Sequence, residues 1–195
     1  MMRSSNYAGA VYAMTLAAAV GLGLTWWTSG DRFRLGAVED GPWTAWPMAD
    51  PQNADRYSRA RIARSGDLPL GPGEGLVFTA REDSAGMPLD GRCHYRVGPI
   101  LPPARWWTLS LYDSQGRPEA NPSARYGFAS SAVLRGAQGS AAVDVAPEIG
   151  PGNWLPSAPG PFQLVLRLYD SPVLTGLGTR NAIAMPEIER SGCGA

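Results

Sequence analysis

The stretch Asn153–Asp170, NWLPSAPGPFQLVLRLYD, is the part of the chain around which the rest is organised. Its first half holds three prolines and a glycine between positions 156 and 161, and these exclude a helix and impose a bend. In its second half, large apolar side chains alternate with other side chains from Phe162 to Tyr169. Period two over eight residues is typical of a half-buried strand. The stretch therefore predicts a rigid elbow that leads into a core strand.

Working outward from this stretch, the same alternation occurs in Trp106–Asp113, and both strands end in Leu-Tyr-Asp. Shorter β-prone runs are bounded by glycine and proline turns. These runs are Leu76–Ala80, Arg92–Val97 and Ala182–Met185, together with a predicted hairpin of Ala132–Arg135 and Ala141–Val145 around Gly136 and Gly139. Short strands at fairly regular spacing predict a mainly β fold, an antiparallel sandwich or jelly-roll-like domain.

Composition narrows the function classes. The 17 cationic and 17 acidic residues balance, so the chain has no basic footprint for nucleic acid. Every cationic residue is an arginine, which excludes chemistry that requires a lysine amine. The single histidine, His94, excludes a multi-histidine metal site. We expect no metal and no cofactor.

The N-terminal region carries an apolar run of 20 residues, Ala8–Trp27, which is long enough for a helix to cross a bilayer. Trp26 and Trp27 at one end and Tyr7 at the other suit the membrane interfaces. A cleaved signal peptide is the alternative, but the run is longer than usual for one and no Ala-x-Ala site follows closely. We therefore expect a retained single-pass anchor that brings the chain to a lipid bilayer. A row of small residues along this helix could pair with a second helix: Gly9, Ala13, Ala17 and Gly21.

These patterns divide the chain into four predicted parts. Residues 1–30 form a tail and the transmembrane helix, and residues 31–50 form a linker. Residues 51–190 form the β-sandwich with a short leading helix, which Asp50 begins and Gly66 ends. Four arginines on that helix suit either a solvated face or lipid headgroups. Residues 191–195 form a tail.

The order of motifs resembles one known family. The motifs are Pro88-Leu89-Asp90-Gly91 with Tyr95, the strand at 106–113, Asn121-Pro122, Arg125-Tyr126, and the residues of the 153–170 stretch. Over roughly residues 55 to 190 they resemble the bacterial family called domain of unknown function 1214. The resemblance implies a β-sandwich that often occurs beside a domain of unknown function 1254, in longer relatives within one chain. It implies no settled activity. It leads us to expect a partner protein carrying a 1254 domain.

Few residues are candidates for chemistry. His94 is interpreted as a surface residue, because no nucleophile or orienting carboxylate accompanies it in a motif. Asp113 and Asp170 end similar strands and could form the carboxylate pair of a glycosidase, although capping a turn is the ordinary role of such residues. Asn153, Trp154 and Arg167 either line a ligand groove, with the tryptophan as a sugar platform, or hold the proline-rich elbow. We favour the structural role.

The two cysteines, Cys93 and Cys193, either form a disulfide or leave Cys93 as a buried free thiol. With the anchor, they suggest a bacterial inner-membrane protein whose β-domain lies in the periplasm. We expect a binding or assembly module that works with a partner; the alternatives are an envelope hydrolase or carbohydrate-active enzyme, and a scaffold without a ligand.

Overall fold

The computed structural model describes residues 3–28, 36–47, 56–65, 70–71, 73–99, 101–136, 139–172 and 185–194. The chain forms two units, one of residues 1–35 with 55–67 and the other of residues 36–54 with 68–195. The first unit holds the helices α1 (Arg3–Thr28) and α2 (Arg56–Ser65). The second holds all the strands described below.

The described residues contain ten strands. They are β1 (Val38–Asp40), β2 (Trp43–Ala45), β3 (Gly75–Ala80), β4 (Cys93–Val97), β5 (Trp106–Asp113), β6 (Gly127–Ala129), β7 (Val143–Ala146), β8 (Trp154–Pro156), β9 (Phe162–Tyr169) and β10 (Ile188–Cys193). Of these, β4, β5 and most of β9 show the two-residue periodicity of the sequence. Sheet 1 has the order β1-β2-β3-β9-β5-β6, and sheet 2 has the order β10-β4-β7-β8. The mainly β fold predicted from the sequence is confirmed.

The strand β9 lies at the centre of sheet 1 because it pairs along its full length with β5 and over six residues with β3. Its inward side chains, Phe162, Leu164, Leu166 and Leu168, are at most 3% exposed. They belong to one hydrophobic cluster with inward residues of sheet 2, such as Tyr95 and Val145. The two sheets therefore enclose a shared core, as in a sandwich.

Two predicted boundaries are corrected by strands at the sheet edges. Residues 31–50 are not only a linker, since β1 and β2 form a hairpin that extends sheet 1. Trp43 is fully buried and its Nε1–H donates to the carbonyl of Pro186 over 2.7 Å. Residues 191–195 are not only a tail, since β10 runs to Cys193 and pairs with β4. Periodicity does not reveal β1 and β2 because each has only three residues. It does not reveal β10 because most of its residues are polar or glycine.

The predicted hairpin around Gly136 and Gly139 is wrong. Residues 132–135 form no strand, and β7 pairs instead with β4 and, in parallel, with β8. The physical reason is that the Asn153 side chain, rather than a neighbouring strand, bonds the backbone of Leu134. The predicted strand at 182–185 and the predicted start of the leading helix at Asp50 lie almost wholly outside the described residues.

Candidate functional site

The side chain of Asn153 joins two backbone segments by hydrogen bonds. Its Nδ2 donates to the carbonyls of Leu134 (2.8 Å) and Ala142 (2.9 Å), and its Oδ1 accepts from the N–H of Leu134 over 2.7 Å. The residue is 6% exposed, so both amide protons and the oxygen are used inside the protein. A buried amide with this set of partners has nothing left to offer a ligand.

Trp154 is also structural. Its ring is buried, and its Nε1–H donates to the carbonyl of Ala146 over 3.0 Å. The guanidinium of Arg125 lies 6.0 Å from the Trp154 ring centre and 5.4 Å from that of Phe128, and it donates to the Trp154 carbonyl over 2.9 Å. The ring is therefore covered by protein and does not serve as an open platform for a sugar.

The proline-rich elbow rests on the motif that ends in Gly91. The N–H of Gly91 donates to the carbonyl of Gly160 over 2.8 Å, and the hydroxyl of Ser157 donates to the carbonyl of Gly91 over 2.9 Å. A Cβ atom at position 91 would overlap the carbonyl oxygen of Ala158. Only glycine allows this approach, which explains why the two motifs occur together.

Arg167 does not hold the elbow, so the structural role predicted for it is wrong. It lies on β9 opposite Thr108 and Val77, on the side of sheet 1 that faces away from the core. Its guanidinium carbon lies 5.7 Å from the ring centre of Tyr112, and its Nη1 donates to the Tyr112 hydroxyl over 3.3 Å. Asn153, Trp154 and Arg167 therefore do not line one groove. Asn153 and Trp154 belong with sheet 2, and Arg167 belongs to sheet 1.

Asp113 and Asp170 do not form a catalytic pair. The strands β5 and β9 are antiparallel, with Trp106 opposite Tyr169 and Asp113 opposite Phe162. Asp170 follows Tyr169, so the two aspartates lie at opposite ends of a ladder of seven residue steps, and their backbones are at least roughly 23 Å apart. Glycosidase carboxylates are separated by about 5 to 9.5 Å. This geometry excludes Asp113 and Asp170 as a glycosidase carboxylate pair.

Asp113 instead caps the turn after β5. Its Oδ1 accepts from the N–H groups of Gln115 (2.8 Å) and Arg117 (2.9 Å), and its Oδ2 pairs with the Arg117 guanidinium. The hydrogen bond from the Arg117 backbone, helped by its side chain, lowers the pKa of Asp113 below its ordinary value. A carboxylate whose acceptors are occupied in this way stabilises a turn.

His94 is a surface residue on β4, in agreement with its interpretation from the sequence. Its Nε2 lies 3.0 Å from Oε2 of Glu148, and both side chains are exposed. Among the residues that the structure describes, no group of three or more histidine, cysteine or acidic side chains is placed to hold a metal ion.

Cys93 and Cys193 are joined by a disulfide between directly opposed residues of β4 and β10. Cys93 is buried at 4% exposure, whereas Cys193 is exposed. Nearer its start, β10 is held by Arg190, whose Nε lies 2.9 Å from Oδ2 of the buried Asp83. That N–H is not directed at the oxygen, so the contact is a charge pair rather than a linear hydrogen bond.

The comparisons with known proteins agree with this architecture. A family model described as a protein of unknown function, DUF1214, matches residues 74–173, which include β3 to β9. The chain belongs to the DUF1214 family. No curated protein matches.

Two solved structures resemble the DUF1214 chain. The VPA0106 protein from Vibrio parahaemolyticus is 22% identical with a TM-score of 0.57, covering 71% of this chain and 36% of its own. An uncharacterised protein from Burkholderia cenocepacia is 20% identical with a TM-score of 0.44, covering 77% of this chain and 35% of its own. The DUF1214 chain thus spans about a third of the length of either structure. The first similarity supports the fold alone.

The remaining candidate in the DUF1214 domain is the surface that carries Arg167. The outer face of sheet 1 is defined here by the outward residues of its three central strands. They are Val77 and Thr79 on β3, Gln163, Val165, Arg167 and Tyr169 on β9, and Trp106, Thr108, Ser110 and Tyr112 on β5. Sequence reasoning found Arg167 but missed its neighbours, although the alternation of β5 and β9 places all of them on one side. None of the described residues on this face forms an acid–base pair.

Proposed function

We propose that the chain is a single-pass membrane-anchored module of the bacterial cell envelope, and that its β-domain binds or assembles with a partner protein. The observation that carries the proposal is α1. Its segment Tyr7–Trp27 is 21 residues long with a mean hydropathy of 1.6, and every residue in it is exposed. An apolar helix without a protein surface around it is suited to lipid.

The polar groups of α1 are suited to the same environment. The hydroxyls of Thr15 and Thr25 donate to the helix carbonyls of Val11 (2.9 Å) and Gly21 (2.8 Å). Because these bonds stay within the helix, neither threonine hydroxyl has to be satisfied by water. Intact protein from native membranes should therefore begin before Tyr7 in mass spectra. A mature N-terminus between Thr28 and Val38 would show that the helix is a cleaved signal.

The disulfide supports a location of the β-domain outside the cytoplasm. Bonds such as Cys93–Cys193 form and persist in oxidising compartments, of which the bacterial periplasm is one. We accordingly propose the inner membrane for α1 and the periplasm for the sandwich. A cysteine-reactive, membrane-impermeant label applied to intact cells after reduction should reach Cys193; labelling only after lysis would place the domain in the cytoplasm.

The partner that we propose is a membrane-anchored protein with a 1254 domain. The resemblance described above implies that 1214 and 1254 domains commonly work together. Two proteins anchored in one membrane meet at a high effective concentration, so a modest interface suffices. The row Gly9, Ala13, Ala17 and Gly21 allows close approach of a second helix. Among the described residues, a Cβ atom added at Gly9 or Gly21 would meet nothing within 4 Å outside the helix's own backbone.

The proposal is tested by co-purification from gently solubilised membranes. The double variant Ala13→Leu/Ala17→Leu places two bulky groups in the small-residue row and should lose the partner. The control Ala8→Leu/Ala19→Leu adds the same groups on the opposite side of the helix and should retain it. Recovery of a bare monomer from the unaltered protein would refute the proposal, and recovery of a homodimer would replace the partner by a second copy.

A further inference from the structure

The outer face of sheet 1 has an unusual composition for a solvated β-surface. Its three central strands present two tyrosines and a tryptophan but no aspartate, glutamate or lysine. Trp106 is 42% exposed, while Val165 at the centre is only 6% exposed. Tryptophan, tyrosine and arginine are the residues enriched where binding energy concentrates in protein interfaces, and acidic residues and lysine are depleted there.

Arg167 is the only charged residue among the outward residues of these three strands, and among the described residues no carboxylate pairs with it. The register places Glu39 of β1 outward on the same sheet, but three strands away from β9. Arg167 is half-buried, and its hydrogen bond goes to the neutral hydroxyl of Tyr112 over 3.3 Å. Three other arginines of the sandwich, Arg92, Arg117 and Arg190, each lie within 2.9 Å of a carboxylate oxygen. Arg125 and Arg135 donate to backbone carbonyls, whereas Arg167 has, within the described part of the chain, only a phenol hydroxyl. A half-buried guanidinium has a strong preference for a carboxylate that can accept two parallel hydrogen bonds.

We infer that the outer face of sheet 1 is the surface that docks the partner protein, and that the partner inserts an aspartate or glutamate carboxylate that pairs with Arg167. Charge complementarity selects this occupant, since the face offers one cation and no anion. A second copy of the chain fits poorly, because a two-fold axis through this face would oppose the two Arg167 side chains. The Arg167 side chain reaches Tyr112, which pairs with Gln163, so the register takes it along the face past Val165.

The size of the face explains why the anchor matters. The outward residues from Trp106 to Tyr112 span roughly 20 Å along the strands, and three strands span roughly 10 Å across them. The resulting area of roughly 200 Å² is well below the ~800 Å² that each partner buries in a stable complex. The contact would therefore be weak in solution and would depend on tethering in one membrane. The inference rests on the proposed function, which it deepens by naming the surface.

The experiment is site-specific photo-crosslinking of the full chain in its native membranes. A benzophenone amino acid is placed at Trp106 or, as the matched control, at Tyr126, which is similarly exposed at 45% but alternates with Gly127 and so does not lie on this face. The Trp106 probe should form one adduct of defined mass, and the Tyr126 probe should not form that adduct. Arg167→Glu should reduce the adduct at least about tenfold, as expected for a like-charge contact. Arg167→Lys keeps the charge but not the two parallel donors, so it should reduce the adduct less than Arg167→Glu does.

Two further measurements make the result specific. Arg167→Met keeps the stem that passes Val165, so it should melt within a few degrees of the unaltered protein and still lose most of the adduct. The crosslinked partner peptide, identified by mass spectrometry, should lie beside an acidic residue whose change to arginine restores crosslinking to Arg167→Glu. An adduct that is insensitive to the charge at 167, equal adducts from both probes, or no adduct would each overturn the inference. If the partner co-purifies but crosslinks elsewhere, the docking face is wrong and the proposed function stands; if no partner is recovered, both fail.

Discussion

Removing the disulfide should destabilise the β-domain more than any loss of contacts would suggest. Cys93 and Cys193 are 100 residues apart in sequence, so their bond closes a loop that includes most of the sandwich. In the chain-entropy model, closing a loop of about 100 residues restricts the unfolded chain by about 4.7 kcal/mol at 25 °C. The variant Cys193→Ala is the cleanest perturbation, because Cys193 is exposed and its removal leaves the packing of Cys93 in place.

Packing at the start of β10 should limit the effect in the native state. Ile188 is fully buried and Arg190 pairs with Asp83, so the strand remains docked when the bond is absent. The bond should therefore act mainly by restricting the unfolded chain. Its removal should lower the free energy of unfolding by about 2 to 4 kcal/mol. For a chain of this size it corresponds to a melting temperature lower by on the order of 10 °C.

The assay is urea unfolding of the detergent-solubilised protein, followed by tryptophan fluorescence with and without a dithiol reductant. The reductant should lower the midpoint of the unaltered protein to that of Cys193→Ala and should leave the variant unchanged. Equal midpoints for the oxidised protein and the variant, within about 0.5 kcal/mol, would refute the loop-closure reasoning. A reductant effect on the variant would show that the agent acts on something other than this bond.

Three other predictions concern the residues that hold the loops. Asn153→Ala should lower the free energy of unfolding by about 1 to 3 kcal/mol, because it removes the partner of the part-buried N–H and C=O of Leu134 and of the C=O of Ala142; an equal loss in the exposed-loop control Ser131→Ala would contradict a specific role. Gly91→Ala should cost at least about 2 kcal/mol, since the methyl group would overlap the elbow; a neutral result in calorimetry would mean that the elbow can move aside. The stability contributed by Asp113 should be complete above the unfolded-state pKa of about 3.9 and should be lost as the pH falls through its lowered folded pKa. Asp113→Asn should therefore reduce the dependence of the melting temperature on pH below about pH 4, and an unchanged pH profile would argue against this assignment.

The pattern of the sequence determined the elements that depend on local periodicity. The strands β5 and β9 follow from strict alternation over eight residues, and α1 follows from an apolar run whose length matches a bilayer. The motifs that resemble the family include both the proline-rich elbow and Gly91, and the structure joins the two by hydrogen bonds. A signal for the β1–β2 hairpin was also present, because Gly41 with φ of 56° lies in a two-residue connection between Asp40 and Trp43.

Only the tertiary structure decided which of these residues meet. Antiparallel pairing separates Asp113 from Asp170, although both strands end in the same three letters, because register is a property of two strands together. Asn153 and Arg167 lie 14 positions apart in one stretch. Asn153 bonds backbone groups beside sheet 2, whereas Arg167 lies on the outer side of sheet 1. Hydrogen-bond satisfaction and charge compensation depend on neighbours that are distant in sequence, so local pattern cannot reveal that Arg167 pairs with Tyr112 and with no carboxylate of the described residues.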